Sequence, residues 1–455
     1  MSRALRLGIA LWSALWTATL PLLLLYLLWR SRRDPVYRSH LAERWGWHRS
    51  WRPGAVWVHA VSLGELRSAV PLIQALLQRG ERVVTTHFTP AGRGEAERVF
   101  AAAIAAGRVR VVWVPLETGW AYRGFLRAFR PAYGLVMEIE IWPQMIASAR
   151  AARVPLLMCN AQYPSRSLAR DSTRLPIRQA LMRGFAGALV KSELQRQRFA
   201  SIGLANIAVT GELRFDQPVP AELVAAGRAA RHWLGAEHRR VICIASAIEG
   251  EDPTYLHAIH AVRAHQQASD QPMPLVVYVP RRPERFDAVA ELLAAAGLVV
   301  LRRSALGGAF DPRQWPAQLR PAQLQPHLNA GPDVLLGDSL GEMYAYLAMA
   351  DEVVVGGGFS LKGAHNISEA LVLGKPVVTG PHVHTIEYPF CEAMAAGVAL
   401  CVADQEALAR YLCSASRPSR QMIERFVAAH SAAVPRTLEA IPGLLAAIGP
   451  SGSCR

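Results

Sequence analysis

Cysteine is scarce in this chain of 455 residues, and the six cysteines present form no C-x-x-C pair. Three of them lie in apolar segments typical of β-strands, which favours reduced core thiols over a disulfide framework. No H-E-x-x-H helix and no zinc-finger spacing occur, so we expect neither a metal nor another cofactor. The patterns GxxxxGKS/T and GxGxxG are absent as well, which excludes the standard P-loop and dinucleotide fingerprints.

Charged residues are also few, at 19% against 51% hydrophobic residues, a composition that excludes general disorder. The net charge is nevertheless +15 and favours anionic partners such as nucleic acid, acidic lipids or phosphorylated substrates. The arginines are scattered and no nucleic-acid-binding motif is visible, so we do not expect nucleic acid as a partner. The length predicts two domains of about 200 residues each.

The chain has one long run without a formal charge, from Leu7 to Trp29. At about 1.5 Å per residue, this run is long enough for a helix that spans a bilayer core of ~30 Å. The arginine-rich segment Arg30–Arg52 follows in place of a small-residue cleavage site, which favours a membrane anchor over a cleaved signal peptide. Its charge outweighs that of Arg3 and Arg6, which places the body on the cytoplasmic side. These arginines either bind anionic head groups or only set the topology.

After the anchor, short apolar runs alternate with longer amphipathic stretches, the pattern of an α/β fold. Roughly six or seven strands are predicted before residue 210 and about seven more from 241 to 402, each set forming a doubly wound parallel sheet. The run DQPVPA at 216–221, with two prolines, predicts the boundary between them. We therefore expect an anchor in residues 1–33, a first domain in 34–218 and a second in 219–455.

Polar residues of the first domain lie at strand-to-helix turns, where doubly wound sheets bind ligands. In the run SLGEL, Ser62 and Gly64 precede Glu65 at a helix start, whose dipole favours the charged carboxylate. Local sequence alone favours a helix-stabilising role for this glutamate. Glu138 and Glu140 alternate at the end of a later strand, where carboxylates are costly unless hydrogen-bonded. We expect one of these two in a site and the other in a structural role.

The second domain carries comparable turns. Ser246 follows a strand at a turn where free backbone N–H groups can bind a phosphate. Arg281 and Arg282 follow the next strand and suit a phosphate or a sugar carboxylate, with two solvated loop arginines as the alternative.

The richest segment begins with three consecutive glycines after an apolar strand. Gly357 and Gly358 permit close backbone contact with a ligand, and Asn366 leads into a helix whose N-terminus suits phosphate. Glu369 can accept hydrogen bonds from ribose hydroxyls. A glycine-rich loop on its own is weak evidence for a nucleotide site.

Taken together, these segments resemble the 3-deoxy-D-manno-octulosonic acid (Kdo) transferases of Gram-negative bacteria, lipopolysaccharide glycosyltransferases with a GT-B fold. The resemblance rests on the anchor and on ordered motifs: WVHAVSLGEL, MEIEIWP, GELRFD, VPRRPERF, GDSLGEM and GGGFSLKGAHNISEALVLGKPVVTGPH. It implies two Rossmann-like domains facing a cleft, an N-terminal one for the acceptor and a C-terminal one for the donor. The last helix is a candidate to pack back on the first domain.

The resemblance implies inverting transfer of Kdo from CMP-Kdo to the lipid A precursor (lipid IVA) at the inner membrane. Glu65 then becomes the general base instead of a helix-stabilising residue. The residues implied in acceptor or sugar binding are Ser62, Gly64, Glu138, Glu140 and Arg214. Those implied in CMP-sugar binding are Ser246, Glu249, Arg281, Arg282, Gly357, Gly358, Asn366 and Glu369.

The chain departs from the family at several motif positions. Ile139 stands where a threonine is common, Arg282 where a histidine is, and Glu212 and Arg214 where asparagine and lysine are. A Ser-Thr-His pattern is interrupted at Ala247–Ile248. Two alternatives therefore stay open: a divergent paralogue with another CMP-activated acidic sugar or another acceptor, and a non-catalytic membrane-tethered protein that binds nucleotide or lipid.

Overall fold

A computed structural model describes residues 3–32, 34–173, 176–316 and 331–447. Arg33 of the arginine-rich segment and Cys454 lie outside these ranges. The described residues divide into two compact units. Unit 1 contains the residues up to Gln217 and those from Ser431 onward, and unit 2 contains those from Pro218 to His430.

The apolar run near the N-terminus forms one long helix, α1 (Arg3–Arg30). By length and composition this helix is able to cross a membrane. Leu5, Ile9 and Leu27 are buried, whereas many other leucines of α1 are exposed. An apolar surface of this size on a helix calls for a lipid or protein environment.

Unit 1 is built on seven strands: β1 (Val56–His59), β2 (Val83–His87), β3 (Val109–Trp113), β4 (Tyr133–Met137), β5 (Leu156–Ala161), β6 (Gly187–Val190) and β7 (Ile207–Val209). All pairings are parallel, in the order β3-β2-β1-β4-β5-β6-β7. β1 and β4 are neighbours in this sheet but not in the chain. The chain therefore reverses its winding direction at this pair, which is the switch point where such sheets bind ligands.

Helices cover both faces of this sheet: α2 (Leu41–Arg44), α3 (Leu63–Gln78), α4 (Pro90–Val99), α5 (Ala101–Ala105), α6 (Gly119–Phe129), α7 (Pro143–Ala151), α8 (Ser165–Thr173), α9 (Pro176–Met182) and α10 (Glu193–Ser201). Alternate side chains of β1 point to the two faces of the sheet. Trp57 packs with Phe125 in one core cluster, and Val58 packs with Leu66 of α3 in the other. Both faces are therefore buried, which explains why the strands are apolar runs without alternation.

Unit 2 has a second sheet of seven strands: β8 (Val241–Ala247), β9 (Leu275–Pro280), β10 (Val300–Arg302), β11 (Val334–Leu336), β12 (Glu352–Val355), β13 (Val377–Thr379) and β14 (Ala399–Cys401). The pairings are again all parallel, in the order β10-β11-β9-β8-β12-β13-β14. Here the switch point lies between β8 and β12. Two doubly wound α/β sheets after an apolar helix confirm the fold class expected from the sequence.

The helices of unit 2 are α11 (Ala221–Trp233), α12 (Asp252–Ala268), α13 (Phe286–Ala295), α14 (Met343–Met349), α15 (Ser368–Val372), α16 (Glu387–Ala395), α17 (Gln405–Cys413) and α18 (Arg420–His430). Short 3-10 helices occupy Pro35–Arg38, Leu213–Asp216, Pro283–Arg285, Arg303–Leu306 and Pro312–Gln314. α11 approaches α14 closely at Gly227, where a Cβ atom would lie 2.2 Å from the carbonyl oxygen of Ala345. Any side chain at this position would force the two helices apart.

The last described helix, α19 (Ala433–Ala446), lies in unit 1 and not in unit 2. Leu438 and Ile441 join the same apolar cluster as Leu66. The backbone N–H of Val434 donates to Asp216 Oδ2 at 2.6 Å, which fixes the start of the helix. The chain thus returns to its first unit after completing the second.

Removing the side chain of Ile441 should destabilise unit 1, because it leaves a cavity between α19 and the sheet. We expect Ile441→Ala to cost about 2–4 kcal/mol and to lower the thermal midpoint of the full-length protein in nonionic detergent. Glu439→Ala, an exposed position on the same helix, is the control and should change the midpoint little. Equal midpoints for the two variants would contradict the packing of α19 on unit 1.

Candidate active site

Three carboxylates lie at the switch point of unit 1, and we call them the carboxylate cluster: Glu65, Glu138 and Glu140. Glu65 is in the first turn of α3, directly after β1, and the other two follow β4. Because β1 and β4 are paired neighbours, their carboxyl ends lie side by side. Burial has the largest effect in raising the pKa of Glu65, and the negative charges of Glu140 and Glu138 raise it further.

Two hydrogen bonds hold the side chain of Glu65. Its Oε1 accepts from the Ser62 hydroxyl at 2.8 Å, and its Oε2 accepts from the backbone N–H of Val61 at 2.9 Å. Ser62 in turn accepts from the backbone N–H of Glu65 at 3.3 Å, so the run Ser-Leu-Gly-Glu caps the helix as a variant of the capping box, in which the carboxylate binds the N–H of Val61 and not that of Ser62. Burial raises the pKa of Glu65 to about 7, although the two hydrogen bonds lower it. A carboxyl group that titrates near neutral pH is well suited to general base catalysis.

Glu138 lies beside two cations. Its backbone has a φ of +55°, a strained conformation for a residue other than glycine. Its Oε1 is 3.8 Å from a guanidinium nitrogen of Arg214 and 3.9 Å from Nζ of Lys191. At such a separation this carboxylate neutralises Arg214 only loosely, and the Arg214 side chain, 33% exposed, remains available to an anionic ligand.

Lys191, one of the two cations beside Glu138, is held by a second, buried carboxylate, that of Glu212. Glu212 lies 2.9 Å from Nζ of Lys191 and accepts a hydrogen bond of 2.9 Å from the side-chain amide of Asn160. Burial raises the pKa of Glu212, but the charges of Lys191 and Arg214 outweigh this effect and leave its pKa below the usual range. Glu212 is therefore an anion that fixes Lys191 in place.

Glu140 is fixed by an aromatic neighbour. Its Oε2 accepts from the indole N–H of Trp142 at 2.8 Å, and burial raises its pKa. The Trp142 ring meets Phe88 at 5.9 Å and His59 at 5.7 Å between ring centroids. Phe88 is half exposed, so this side of the carboxylate cluster presents an apolar surface.

The switch point of unit 2 carries the glycine loop, Gly356–Gly358, directly after β12. Gly357 has a φ of +90°, and a Cβ atom there would lie 2.3 Å from the carbonyl oxygen of Gly363. A Cβ atom on Gly358 would lie 2.2 Å from Oγ1 of Thr379. The packing of the protein itself therefore requires these glycines, whatever ligand the loop contacts.

A buried acid, Glu251, holds the glycine loop from the neighbouring turn after β8. Its carboxylate accepts from the backbone N–H groups of Gly357 at 2.8 Å and Phe359 at 2.9 Å, and from the Tyr255 hydroxyl at 2.9 Å. Glu249, the acid named from the family resemblance, is exposed instead. Glu251 is thus the residue that joins the two turns of this switch point.

Ser246 and Arg281 lie close to the same loop. Ser246 has a φ of +61°, and its carbonyl oxygen would be 2.3 Å from a Cβ atom on Gly356. His365 donates its backbone N–H to Gly356 at 3.0 Å. Burial, and to a smaller extent the charge of Arg281, lowers the pKa of His365 to about 4. The imidazole is therefore neutral at physiological pH, and Arg281 supplies the positive charge near the loop.

The remaining candidates of unit 2 are distributed around this loop. Asn366 accepts a 3.0 Å hydrogen bond from the backbone N–H of Ser368, at the start of a helix of only five residues. Burial, and then the charge of Glu369, raises the pKa of Tyr344 to about 12, which places that acid beside α14. The side chain of Arg282 is exposed and has no hydrogen-bond or ion-pair partner among the described residues.

Comparison with known proteins identifies the family. The family model described as 3-deoxy-D-manno-octulosonic-acid transferase (kdotransferase) matches residues 39–217. The 3-deoxy-D-manno-octulosonic acid transferase of Bordetella pertussis is 41% identical over 395 residues, which cover 85% of this chain and 86% of that protein. This chain belongs to the 3-deoxy-D-manno-octulosonic acid transferase family. The transferase of Haemophilus influenzae is 28% identical over 390 residues, 83% of this chain and 84% of its own.

Solved structures support the fold of this transferase. A putative UDP-N-acetylglucosamine 2-epimerase from Listeria monocytogenes is 15% identical, with a TM-score of 0.52 over 87% of this chain and 98% of its own. MurG from Acinetobacter baumannii is 11% identical, with a TM-score of 0.50 over 86% and 100%. At such identities the likeness concerns the fold alone. Together with the two parallel sheets, it confirms the GT-B expectation.

The structure of the transferase brings most sequence-derived candidates together within each unit. Ser62, Glu65, Glu138, Glu140 and Arg214 gather in unit 1. In unit 2, Gly357 and Gly358 form the glycine loop, Ser246, Arg281 and Asn366 lie near it, and Glu369 lies beside Tyr344 of α14. At Gly64 a Cβ atom would be no closer than 4.0 Å to Ser62 Oγ, so the fold alone does not require glycine there. Sequence reasoning missed Lys191, Asn160 and Glu251 as members of these sites.

Replacing Glu65 with glutamine should stabilise this transferase above neutral pH. Since its pKa is raised from 4.5 to about 7 in the fold, the wild-type carboxyl contributes stability below pH 4.5 that is lost as the pH rises through 7. We expect Glu65→Gln to gain about 1–3 kcal/mol over wild type at pH 8 and less at pH 5, measured by chemical denaturation. Glu193→Gln, an exposed first-turn acid of α10, is the control. A gain independent of pH would contradict the raised pKa.

Glu251→Ala should loosen the glycine loop, because two backbone N–H groups lose a charged acceptor. Hydrogen bonds to charged groups are worth about 1.5–3 kcal/mol each. Hydrogen–deuterium exchange at Gly357 and Phe359 should therefore accelerate at least tenfold. Glu249→Ala, two residues away and exposed, should leave exchange unchanged. Similar exchange in the two variants would remove Glu251 from this positioning role.

Proposed function

We propose that this protein is an inverting glycosyltransferase that moves Kdo from CMP-Kdo to a hydroxyl group of the lipid A precursor in lipopolysaccharide biosynthesis. The observation that carries the proposal is Glu65, a partly buried carboxyl group with a pKa of about 7 at the switch point of unit 1. A base of this kind is what attack by a sugar or lipid hydroxyl requires, since the hydroxyl loses its proton as it forms the new bond.

In this mechanism, the acceptor hydroxyl binds beside Glu65 and attacks the anomeric carbon of Kdo. The bond from that carbon to the CMP phosphate oxygen breaks, CMP leaves as an anion, and the proton of the hydroxyl passes to the Glu65 carboxylate. Attack from the face opposite to the leaving group inverts the anomeric configuration. Ser62 and the backbone N–H of Val61 orient the carboxylate, so it does not have to reorganise during the step.

Unit 1 provides further groups for the acceptor and the sugar. Arg214 lies within 4 Å of Glu138 but is not fully neutralised by it, whereas Lys191 is buried and paired with Glu212 at 2.9 Å. We assign Arg214 to an anionic group of the ligands, a Kdo carboxylate or an acceptor phosphate, because arginine binds both. The apolar surface of Phe88 and Trp142 is suited to the hydrocarbon part of the acceptor.

Unit 2 is the proposed donor-binding unit. The turns after β8 and β12 offer the CMP phosphate backbone groups at Ser246 and Gly358, and Arg281 offsets the charge of the leaving group. The N–H of Gly357 already donates to Glu251, so Gly357 is assigned to shaping the loop. Asn366 and Glu369 are assigned to the ribose and base. Glu249 and Arg282 are exposed and therefore free to bind the donor, which is their proposed role.

The proposed location follows from α1 and from the substrates. A nucleotide sugar is water-soluble, whereas the acceptor is a lipid of the membrane. The apolar helix α1, of 28 residues, is part of unit 1, with Leu5, Ile9 and Leu27 buried. Its exposed leucines would keep the acceptor-binding unit at the cytoplasmic surface of the inner membrane, where the two substrates meet.

Purified full-length protein, supplied with CMP-Kdo and lipid IVA, should release CMP and add Kdo to the lipid, as detected by mass spectrometry of the product. Glu65→Gln should lower kcat by about 100-fold to 10000-fold while CMP binding by calorimetry stays unchanged. In the wild type, kcat should fall as the pH drops below about 7, because Glu65 takes up a proton.

The matched control for this assay is Glu193→Gln, an exposed acid in the first turn of a capped helix. It should retain wild-type turnover. Unchanged turnover in Glu65→Gln would exclude Glu65 as the base. Binding of CMP without any sugar transfer by the wild type would favour the non-catalytic alternative, and transfer of a different CMP-activated sugar would favour a divergent paralogue.

A further inference from the structure

A surface groove of about 810 Å³ lies in unit 1 between α1, α6 and α7, and we call it the anchor groove. Its floor is apolar and includes Ile9 of α1, Leu126 of α6 and Ala147 of α7. It extends along α7 to Ala152, just past the end of that helix. At its other end the groove reaches Gln144 in the first turn of α7, but Glu65, Glu138 and Glu140 do not line it, so it is distinct from the carboxylate cluster.

Four arginines line this groove and are called the rim arginines: Arg6 of α1, Arg123 and Arg127 of α6, and Arg150 of α7. All four are exposed, and no acidic residue of the described ranges lines the groove. Arg123 and Arg127 are four residues apart and therefore lie on the same face of α6. Among the described residues, none of the four has an ion-pair partner; Arg150 donates to the carbonyl oxygen of Gly184 at 3.1 Å. Like charges gathered in this way repel one another unless an anion binds between them.

The groove is a fixed feature, because hydrogen bonds join α1 to the starts of α6 and α7. The Trp12 indole N–H donates to Oε2 of buried Glu117 at 3.1 Å, and the Gly119 backbone N–H donates to the Ser13 hydroxyl at 3.2 Å. Glu117 also accepts from the backbone N–H groups of Gln144 at 2.9 Å and Met145 at 3.2 Å. A single buried carboxylate thus connects the anchor helix to the first turn of α7.

We propose that the anchor groove binds one anionic phospholipid of the membrane that holds the protein. The phosphate lies among Arg6, Arg123 and Arg127, and an acyl chain follows the apolar floor beside Ile9. Basic pockets next to membrane helices bind anionic head groups in this way. The neighbouring residues Leu7 and Leu11 of α1 are each 63% exposed, so the floor continues into a surface already suited to lipid.

The proposal is tested on the full-length protein in nonionic detergent, titrated with dioleoylphosphatidylglycerol, with dioleoylphosphatidylcholine, or with inorganic phosphate. Native mass spectrometry counts bound lipids and gives their affinities. Phosphatidylglycerol should bind as one tight molecule, at least tenfold tighter than phosphatidylcholine. Each arginine near a head group contributes roughly fivefold to affinity, so Arg123→Gln/Arg127→Gln should bind about 25-fold more weakly. The double variant Arg79→Gln/Arg110→Gln, which removes two exposed arginines of unit 1 outside the groove, should bind like wild type.

The proposal is overturned by equal binding of the two phospholipids, by equal loss in the two double variants, or by saturation of the groove by inorganic phosphate alone. If lipid IVA binds with the same dependence on Arg123 and Arg127 while phosphatidylglycerol does not, the groove is an acceptor subsite and the proposal also fails. The titration needs no CMP-Kdo and no turnover. Its failure is therefore distinguishable from failure of the proposed transfer reaction.

Discussion

Parallel pairing of strands that are not consecutive in the chain is the constraint on which both candidate sites depend. β1 pairs with β4 in unit 1 and β8 with β12 in unit 2, and at each pair the connecting helices leave toward opposite sides. The turns after these strands therefore separate and leave a crevice with exposed backbone groups. Glu65 and Glu138 meet only because of this pairing, although 72 residues of chain lie between them, and the same holds for Glu251 and the glycine loop.

Both switch points carry features that stabilise the site at the expense of the fold. Glu138 and Ser246 adopt left-handed backbone conformations that cost of order 1–3 kcal/mol each in residues other than glycine. Glu65 is desolvated beside two further acids, which opposes its ionisation. The large apolar cores on both faces of each sheet supply the stability that makes these local costs tolerable. Strain and desolvation at the ends of β1, β4 and β8 are therefore consistent with the proposed active site.

The sequence predicted the strands well, because strands buried on both faces are short apolar runs bounded by turns. The interpretation of Glu65 as a helix-stabilising residue was incomplete. A capped helix start has the same local sequence whether or not distant residues also bury its acid. The sequence analysis named Glu249 and not Glu251, because only the backbone conformation of the turn decides which of the two side chains points inward. Lys191 and Glu212 form a pair across two loops that no local spacing reveals, and the return of α19 to unit 1 has no local signal either.

Under the proposed membrane location, the hydrogen bonds that join α1 to α6 and α7 also affect how the enzyme meets its acceptor. A helix connected to its body by a flexible linker lets that body tumble, so most encounters with a lipid occur in the wrong orientation. Here Trp12 bonds to Glu117 just before α6 and Ser13 bonds to Gly119, the first residue of α6, so α1 is joined to the rest of unit 1. Under the proposed membrane location, the orientational entropy is lost once, when α1 enters the membrane, and every later collision with a lipid in the plane of the leaflet takes place at a fixed angle and a raised effective concentration.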